Sequence, residues 1–128
     1  MKLKFSRIGL MGKPNNPEVK STFHTLIEYL NTLKLSLVVE ASCAPLVDDL
    51  NIPSAPDDKL ASQCDLIIVV GGDGSLLKAA RAIVPFGVPV VGVNRGRKGF
   101  LTDITPQAVA QELTPILQGN YLEENRFL

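Results

Sequence analysis

Gly71-Gly72-Asp73-Gly74-Ser75 is the stretch of this chain whose residue types and spacing best suit chemistry. Three glycines in four positions give the backbone access to positive φ and let it approach a ligand closely. A helix opening at Ser75 adds unpaired N–H groups and the positive end of its dipole. Phosphate is the natural guest of such a turn. Asp73 is the anomaly, because a carboxylate inside an anion-binding turn repels the guest unless it has a task. Two tasks fit: accepting the proton of an attacking hydroxyl, or holding a metal ion that bridges phosphates. The plainer alternative is a glycine-rich turn whose aspartate only hydrogen-bonds locally.

Two familiar phosphate loops are excluded by spacing. The G-x-x-x-x-G-K-[ST] pattern is absent. A G-x-G-x-x-G reading begun at Gly72 and Gly74 puts Leu77 where the third glycine must stand. Charge points the same way as the glycines. No acidic residue lies between Asp73 and Asp103, whereas Lys78, Arg81, Arg95, Arg97 and Lys98 all do. The 71–74 turn and the 94–99 loop therefore share a locally positive field. Lys78 is placed to reach back to the turn, while Arg81 suits a solvated helix surface equally well. His24 and the pairs Asp48-Asp49 and Asp57-Asp58 read as solvated groups, and Cys64 as a small core residue.

Elements must aim this turn. Residues 65–70 form a continuous apolar run, the pattern of a strand buried on both faces of a parallel sheet. Residues 75–84 predict a helix with Leu76, Leu77, Ala80, Ile83 and Val84 turned inward, and 88–93 predict the next strand. Upstream, 5–10 read as a strand ended by the breaker cluster Gly12-Lys13-Pro14-Asn15-Asn16-Pro17. Asn16 suits an N-cap and Pro17 a first helical turn. Val19, Phe23, Leu26, Ile27, Leu30 and Leu33 then follow at helical spacing. A second strand is predicted over 35–41.

Residues 45–60, with three prolines and four aspartates, predict a mobile connection with a short helix at most. Thr105 and Pro106 open a last helix, in which Pro115 predicts a kink or early end. Residues 121–128 read as extended. Strands alternating with helices predict an α/β fold: a three-layer, Rossmann-like parallel sheet with helices on both faces. In such sheets ligands bind outside the carboxyl ends of the strands.

Composition bounds the rest. The 128 residues (13.8 kDa) suffice for one domain with its own core, and 45% apolar with 20% charged residues excludes a disordered chain. The formal net charge is zero, so no global polyanion surface and no nucleic-acid partner are expected. Two cysteines, Cys43 and Cys64, make neither a disulfide framework nor a zinc site. The stretch 8–11 is too short for a signal peptide. The most apolar long stretch, 83–93, is interrupted by Pro85, Gly87, Pro89 and Gly92, so no membrane span is expected and the compartment reads as a reducing cytoplasm.

Taken together, these residues resemble a known family. Gly71-Gly72-Asp73-Gly74 resembles the motif shared by NAD kinases, diacylglycerol-type lipid kinases and phosphofructokinases. Asn94-Arg95-Gly96-Arg97-Lys98-Gly99-Phe100-Leu101 resembles the NAD kinase signature Asn-x-Gly-x-Leu-Gly-Phe-Leu, with Lys98 in place of the usual leucine. Gln63-Cys64-Asp65-Leu66-Ile67 and Arg126-Phe127-Leu128 resemble bacterial members. The resemblance implies transfer of the ATP γ-phosphate to the 2′-hydroxyl of the adenosine ribose of NAD, giving NADP, with a divalent metal cation (Mg2+).

It implies that Asp73 is the catalytic proton acceptor and that Gly74 contacts NAD through its backbone. Lys78 falls at a basic ligand-contacting position, and Phe100 at an aromatic of the adenine pocket. Asn94 opens the second motif, and Gly71 and Gly72 complete the phosphate-approaching turn. It further implies a nucleotide-binding domain over 1–118, with 119–128 beginning a second, all-β domain that this chain does not include. Alone, the chain is then expected to be weak or inactive; the full-length protein is expected to be a homo-oligomer. The alternatives are a lipid or sugar kinase sharing the first motif, and a non-catalytic nucleotide-binding module.

Overall fold

The computed structural model describes residues 2–94 and 109–119. Its centre is a parallel sheet of β1 (Arg7–Gly12), β2 (Ser36–Glu40), β3 (Ser54–Ala55), β4 (Leu66–Gly71) and β5 (Val90–Asn94), in the order β3-β2-β1-β4-β5. Every pairing is parallel. Side chains alternate across the sheet, so the apolar runs feed two cores. On one face Leu10, Leu37, Val39, Ile68 and Val70 cluster with Phe23, Leu26 and Leu30 of α1 (Pro17–Thr32) and Leu113 and Leu117 of α4 (Val109–Leu117). On the other, Met11, Val38, Ile67 and Val69 cluster with Leu60 of α2 (Asp57–Gln63) and with Leu76, Ala79 and Ile83 of α3 (Asp73–Ile83). This is the three-layer arrangement expected from the alternation of elements.

The start of α1 is as expected: the Asn16 side chain accepts from Glu18 N at 2.8 Å, and Pro17 occupies the first turn. Other bounds differ. The first strand begins at Arg7, leaving Phe5 buried but outside it. The supposed connection over 45–60 is largely built into the fold. It contains 3-10 turns at Ala41–Leu46 and Asp48–Leu50, the edge strand β3, and the start of α2. Its order comes from the sheet, since Val39 N donates to Pro53 O at 2.9 Å and Val39 and Glu40 pair with Ser54 and Ala55.

The helix α3 begins at Asp73, two residues before the expected Ser75. Its inward face shifts accordingly: Ala79 is buried, Leu77 is half-buried, and Val84 is 65% exposed. Of the kink or early end expected at Pro115, the early end does not occur: α4 continues to Leu117. The proline ring is exposed, and Gln118 N still donates to Thr114 O at 3.1 Å, so the ladder resumes on its far side. Thr105, Pro106 and residues 121–128 lie outside the described residues.

The strand order creates a crevice. The chain winds outward from β1 to β3, then returns to the other side of β1 to place β4 and β5. The reversal between β1 and β4 is the topological switch point, where open α/β sheets bind ligands.

Candidate functional site

The carboxyl ends of β1, β4 and β5 lie side by side at this switch point. Gly12, the last residue of β1, pairs with Val70, and Gly71, the last of β4, pairs with Asn94, the last of β5. The two motifs, distant in sequence, thus open from neighbouring strand ends.

The glycines of the first motif differ in what they do. Gly71 has φ +154, and a Cβ there would stand 2.7 Å from Ser75 Oγ, so both conformation and space call for glycine. Gly72 is extended, at φ −100 and ψ −166, so the positive φ expected across the motif holds for Gly71 but not for Gly72 or Gly74. A Cβ built on Gly72 or Gly74 meets nothing within 4 Å. Among the described residues, no protein atom explains glycine at these two places.

Among the described residues, the start of α3 carries no side-chain cap. Gly72 is the N-cap of α3 and no side-chain hydrogen bond closes it; the first intrahelical bond runs from Leu76 N to Gly72 O at 3.1 Å. A helix start has first-turn N–H groups without intrahelical partners and the positive end of the dipole, the standard physical basis of anion binding. Asp73 is the first residue of α3. Lys78 is exposed and lies one turn beyond Gly74 on the same face. Helical side chains lean toward the amino end, so its stem tilts toward the open turn. Arg81, exposed in the last turn, complements the opposite pole of the dipole. Phe100, Arg95, Arg97 and Lys98 lie outside the described residues.

The remaining polar residues resolve more plainly. Asp48, Asp49, Asp57 and Asp58 are exposed. The solvated reading of His24 needs correction: its Nε2 lies 3.2 Å from Leu46 O and 3.7 Å from Asp49 Oδ1, tying α1 to the 3-10 turns. Cys64 is a core residue, and burial pushes its thiol up to about 11.

One residue has no counterpart among the sequence expectations. Glu40 is only 8% exposed. Its Oε1 accepts from Gly12 N at 3.3 Å and from Cys43 Sγ at 3.3 Å, and Cys43 Sγ is also 3.2 Å from Gly12 O. Burial first, and the Glu40 charge second, push the Cys43 thiol up to about 12. The signal in the sequence is weak: a glutamate directly after the apolar Leu37-Val38-Val39, with a cysteine three residues on.

Comparison with known proteins agrees with this geometry. The family model of the ATP-NAD kinase N-terminal domain matches residues 8–121. The chain belongs to this family. Similar proteins include the NAD kinases of Legionella pneumophila, 45% identical over 130 residues, and of Marinomonas sp., 42% identical over 124 residues. The alignments cover 100% and 97% of this chain, but 44% and 42% of those proteins. The NAD kinase of Hahella chejuensis is 46% identical over 98% of the chain. The chain thus spans less than half the length of the curated relatives it matches. Among solved structures, yeast NADH kinase complexed with NADH superposes with a TM-score of 0.76 over 90% of this chain and 38% of that one. At 17% identity this likeness concerns the NAD kinase fold alone. Among the described residues, no helix is long and apolar enough to cross a membrane.

Proposed function

We propose that this chain is the nucleotide-binding part of an NAD kinase, transferring the γ-phosphate of ATP to the 2′-hydroxyl of the adenosine ribose of NAD. One observation supports the reading most: Gly71 pairs with Asn94, so both motifs open from adjacent strand ends, beside the start of α3, which has no side-chain cap among the described residues. Phosphoryl transfer asks little covalent chemistry of a protein. It asks for donor, acceptor and charge-neutralising groups held in line.

In this assignment the Asp73 carboxylate accepts the proton as the ribose oxygen bonds to the γ-phosphorus and the bond to the leaving ADP oxygen breaks. Gly71 and Gly72 let the backbone approach phosphate, and Gly74 contacts NAD. Lys78 neutralises phosphate charge, Asn94 opens the second wall, and Phe100 lines the adenine pocket. Among the described residues, no group of three or more His, Cys, Asp or Glu side chains could hold a metal ion. The Mg2+ ion of this reading would be held mainly by nucleotide phosphates, since Mg2+ commonly keeps only one or two protein carboxylates. Such an ion, when bound, neutralises developing charge on the phosphates.

We assign residues 1–118 to the nucleotide-binding domain and 119–128 to the start of an all-β domain that completes the acceptor pocket. A homo-oligomer in the cytoplasm belongs to the same reading. The test is coupled-enzyme formation of NADP by the purified chain, beside a form extended through the second domain. The extended form turns over and the 128-residue chain is much slower or inactive. Equal turnover by both overturns the half-enzyme assignment. Binding of ATP or NAD without turnover by either replaces catalysis with a non-catalytic module.

A further inference from the structure

We propose that Glu40 is a positioning residue: it fixes the 12–16 turn as the wall of the nucleotide crevice opposite the 71–74 turn. The proposal rests on the nucleotide-binding reading above. It starts from where β2 ends. Inside the sheet, amides of β1 find backbone acceptors on neighbouring strands. After Glu40 the chain leaves the sheet for the 3-10 turn Ala41–Leu46, so no backbone carbonyl of β2 continues beside Gly12. The Glu40 carboxylate takes over as acceptor for Gly12 N, and the Cys43 thiol lies against Gly12 O. Both polar groups of one residue are held by side chains from the next strand and the turn after it. The thiol also donates toward the same Oε1, so the three groups form one closed cluster.

Gly12 has little freedom of its own. A Cβ there would stand 2.9 Å from Val70 O and 3.1 Å from Phe23 and Val19. It is therefore wedged between β4 and α1 on one side and pinned by Glu40 and Cys43 on the other. From this fixed point the turn runs to Asn16, which caps α1. The turn thus has both ends anchored at the switch point, next to a β4 whose own following turn is open. Burying a carboxylate is costly unless its bonds are needed. Here the charged acceptor strengthens two bonds at one oxygen. With its thiol pushed up to about 12, Cys43 serves as a hydrogen-bond donor and not as a nucleophile.

The test uses the full-length protein with Glu40→Ala, Glu40→Gln and Cys43→Ala. Amide exchange of Gly12 and of Ile68 is followed by NMR, and MgATP binding by calorimetry. In Glu40→Ala, Gly12 exchange rises by about tenfold or more, the scale of one lost hydrogen bond, while Ile68 is unchanged. MgATP affinity falls about five- to twentyfold, a fraction of the coupling that positioning provides. Glu40→Gln keeps an oxygen acceptor and stays within about threefold of wild type on both readouts. Cys43→Ala shows the Glu40→Ala pattern at smaller amplitude, and serves alone if Glu40→Ala does not fold.

Unchanged Gly12 exchange overturns the brace. Faster exchange with unchanged MgATP affinity overturns the wall. Loss of affinity in Glu40→Gln with normal exchange assigns the effect to charge and also overturns the proposal. If the wild-type protein binds no nucleotide, the functional reading itself fails, while the exchange data still decide the brace.

Discussion

Two strand-to-helix junctions stand next to each other at the carboxyl edge of this sheet, and they are built on opposite plans. Between β1 and α1, every feature closes the structure. Gly12 is packed on three sides, Glu40 and Cys43 hold its peptide groups, and Asn16 caps the helix. Between β4 and α3, among the described residues, the helix has no side-chain cap and a Cβ on Gly72 or Gly74 would meet no atom within 4 Å. Glycine therefore has two meanings at neighbouring strand ends. At Gly12 it makes room for the protein, and at Gly72 and Gly74 no atom of the described residues requires it. In the proposed function this contrast is the mark of a ligand site.

The open junction is probed most severely by Asp73→Asn in the full-length protein. The change keeps size and removes the base, so NADP formation falls about 10²–10⁴-fold while the melting midpoint holds. Turnover within a few-fold of wild type removes Asp73 from the proton-accepting role.

Valine substitutions then set the two junctions against each other. Gly12→Val forces a side chain into Val70 O, Phe23 and Val19 and costs about 1–3 kcal/mol of stability, read as a lower denaturant midpoint. A Cβ at Gly72 or Gly74 meets no atom of the described residues within 4 Å. Gly72→Val and Gly74→Val leave the midpoint nearly unchanged and weaken nucleotide binding by about tenfold, or ~1.4 kcal/mol, in a calorimetric titration. Equal losses of stability at all three sites would erase the distinction between the junctions.

The caps sharpen it further. Asn16→Ala removes the bond to Glu18 N and costs ~1 kcal/mol in thermal unfolding. Gly72→Asn supplies the missing cap and raises stability by roughly a few tenths of a kcal/mol, at the expense of nucleotide affinity. A gain in both stability and affinity would mean the turn does not face the ligand.

At neutral pH the smallest effect belongs to the closed junction's titration, which appears only in alkali. The Cys43 thiol is raised from its ordinary value of 9.0 to about 12 by burial and by Glu40. Above pH 9 the unfolded chain loses this proton and the folded chain keeps it, so stability falls as pH rises from about 9 toward 12. Cys43→Ser, followed in parallel urea melts, flattens that slope; an unchanged slope assigns it to other groups.

What is legible in the sequence is what is local. The run Leu66–Val70 and the glycines after it declare a buried strand and a sharp turn into a helix without reference to anything else. The cap at Asn16 reads equally well, because an N-cap bond spans two residues. The start of α3 is misplaced by sequence because Asp73 and Ser75 are both at home in a first turn, and the extended backbone of Gly72 decides between them. Glu40 is invisible there because its partner Gly12 is 28 residues away, and only the β1–β2 pairing brings them together. The 45–60 region looks like connection because β3 has two residues and no pattern of its own; Ser54–Ala55 is a strand only because β2 makes it one. Asp73 and Asn94 declare themselves as motif residues, but their nearness comes from the β4–β5 register.

The order of the strands also sets a timetable. β1 is made first and sits in the middle of the sheet, yet Met11 and Gly12 take their second set of neighbours from Val69 and Val70. At ~5–20 residues per second of synthesis, that neighbour arrives roughly 3–12 s later. Until then the emerging chain carries β1 with one edge bare, protected only by α1 and β2. When Leu66–Gly71 leaves the ribosome it is the most apolar strand of the sheet and is paired on one side alone, until Val90–Asn94 follows. The two motifs therefore become neighbours in the last act of building the sheet, and a pause in translation between them would leave a sticky, half-finished edge where the site belongs.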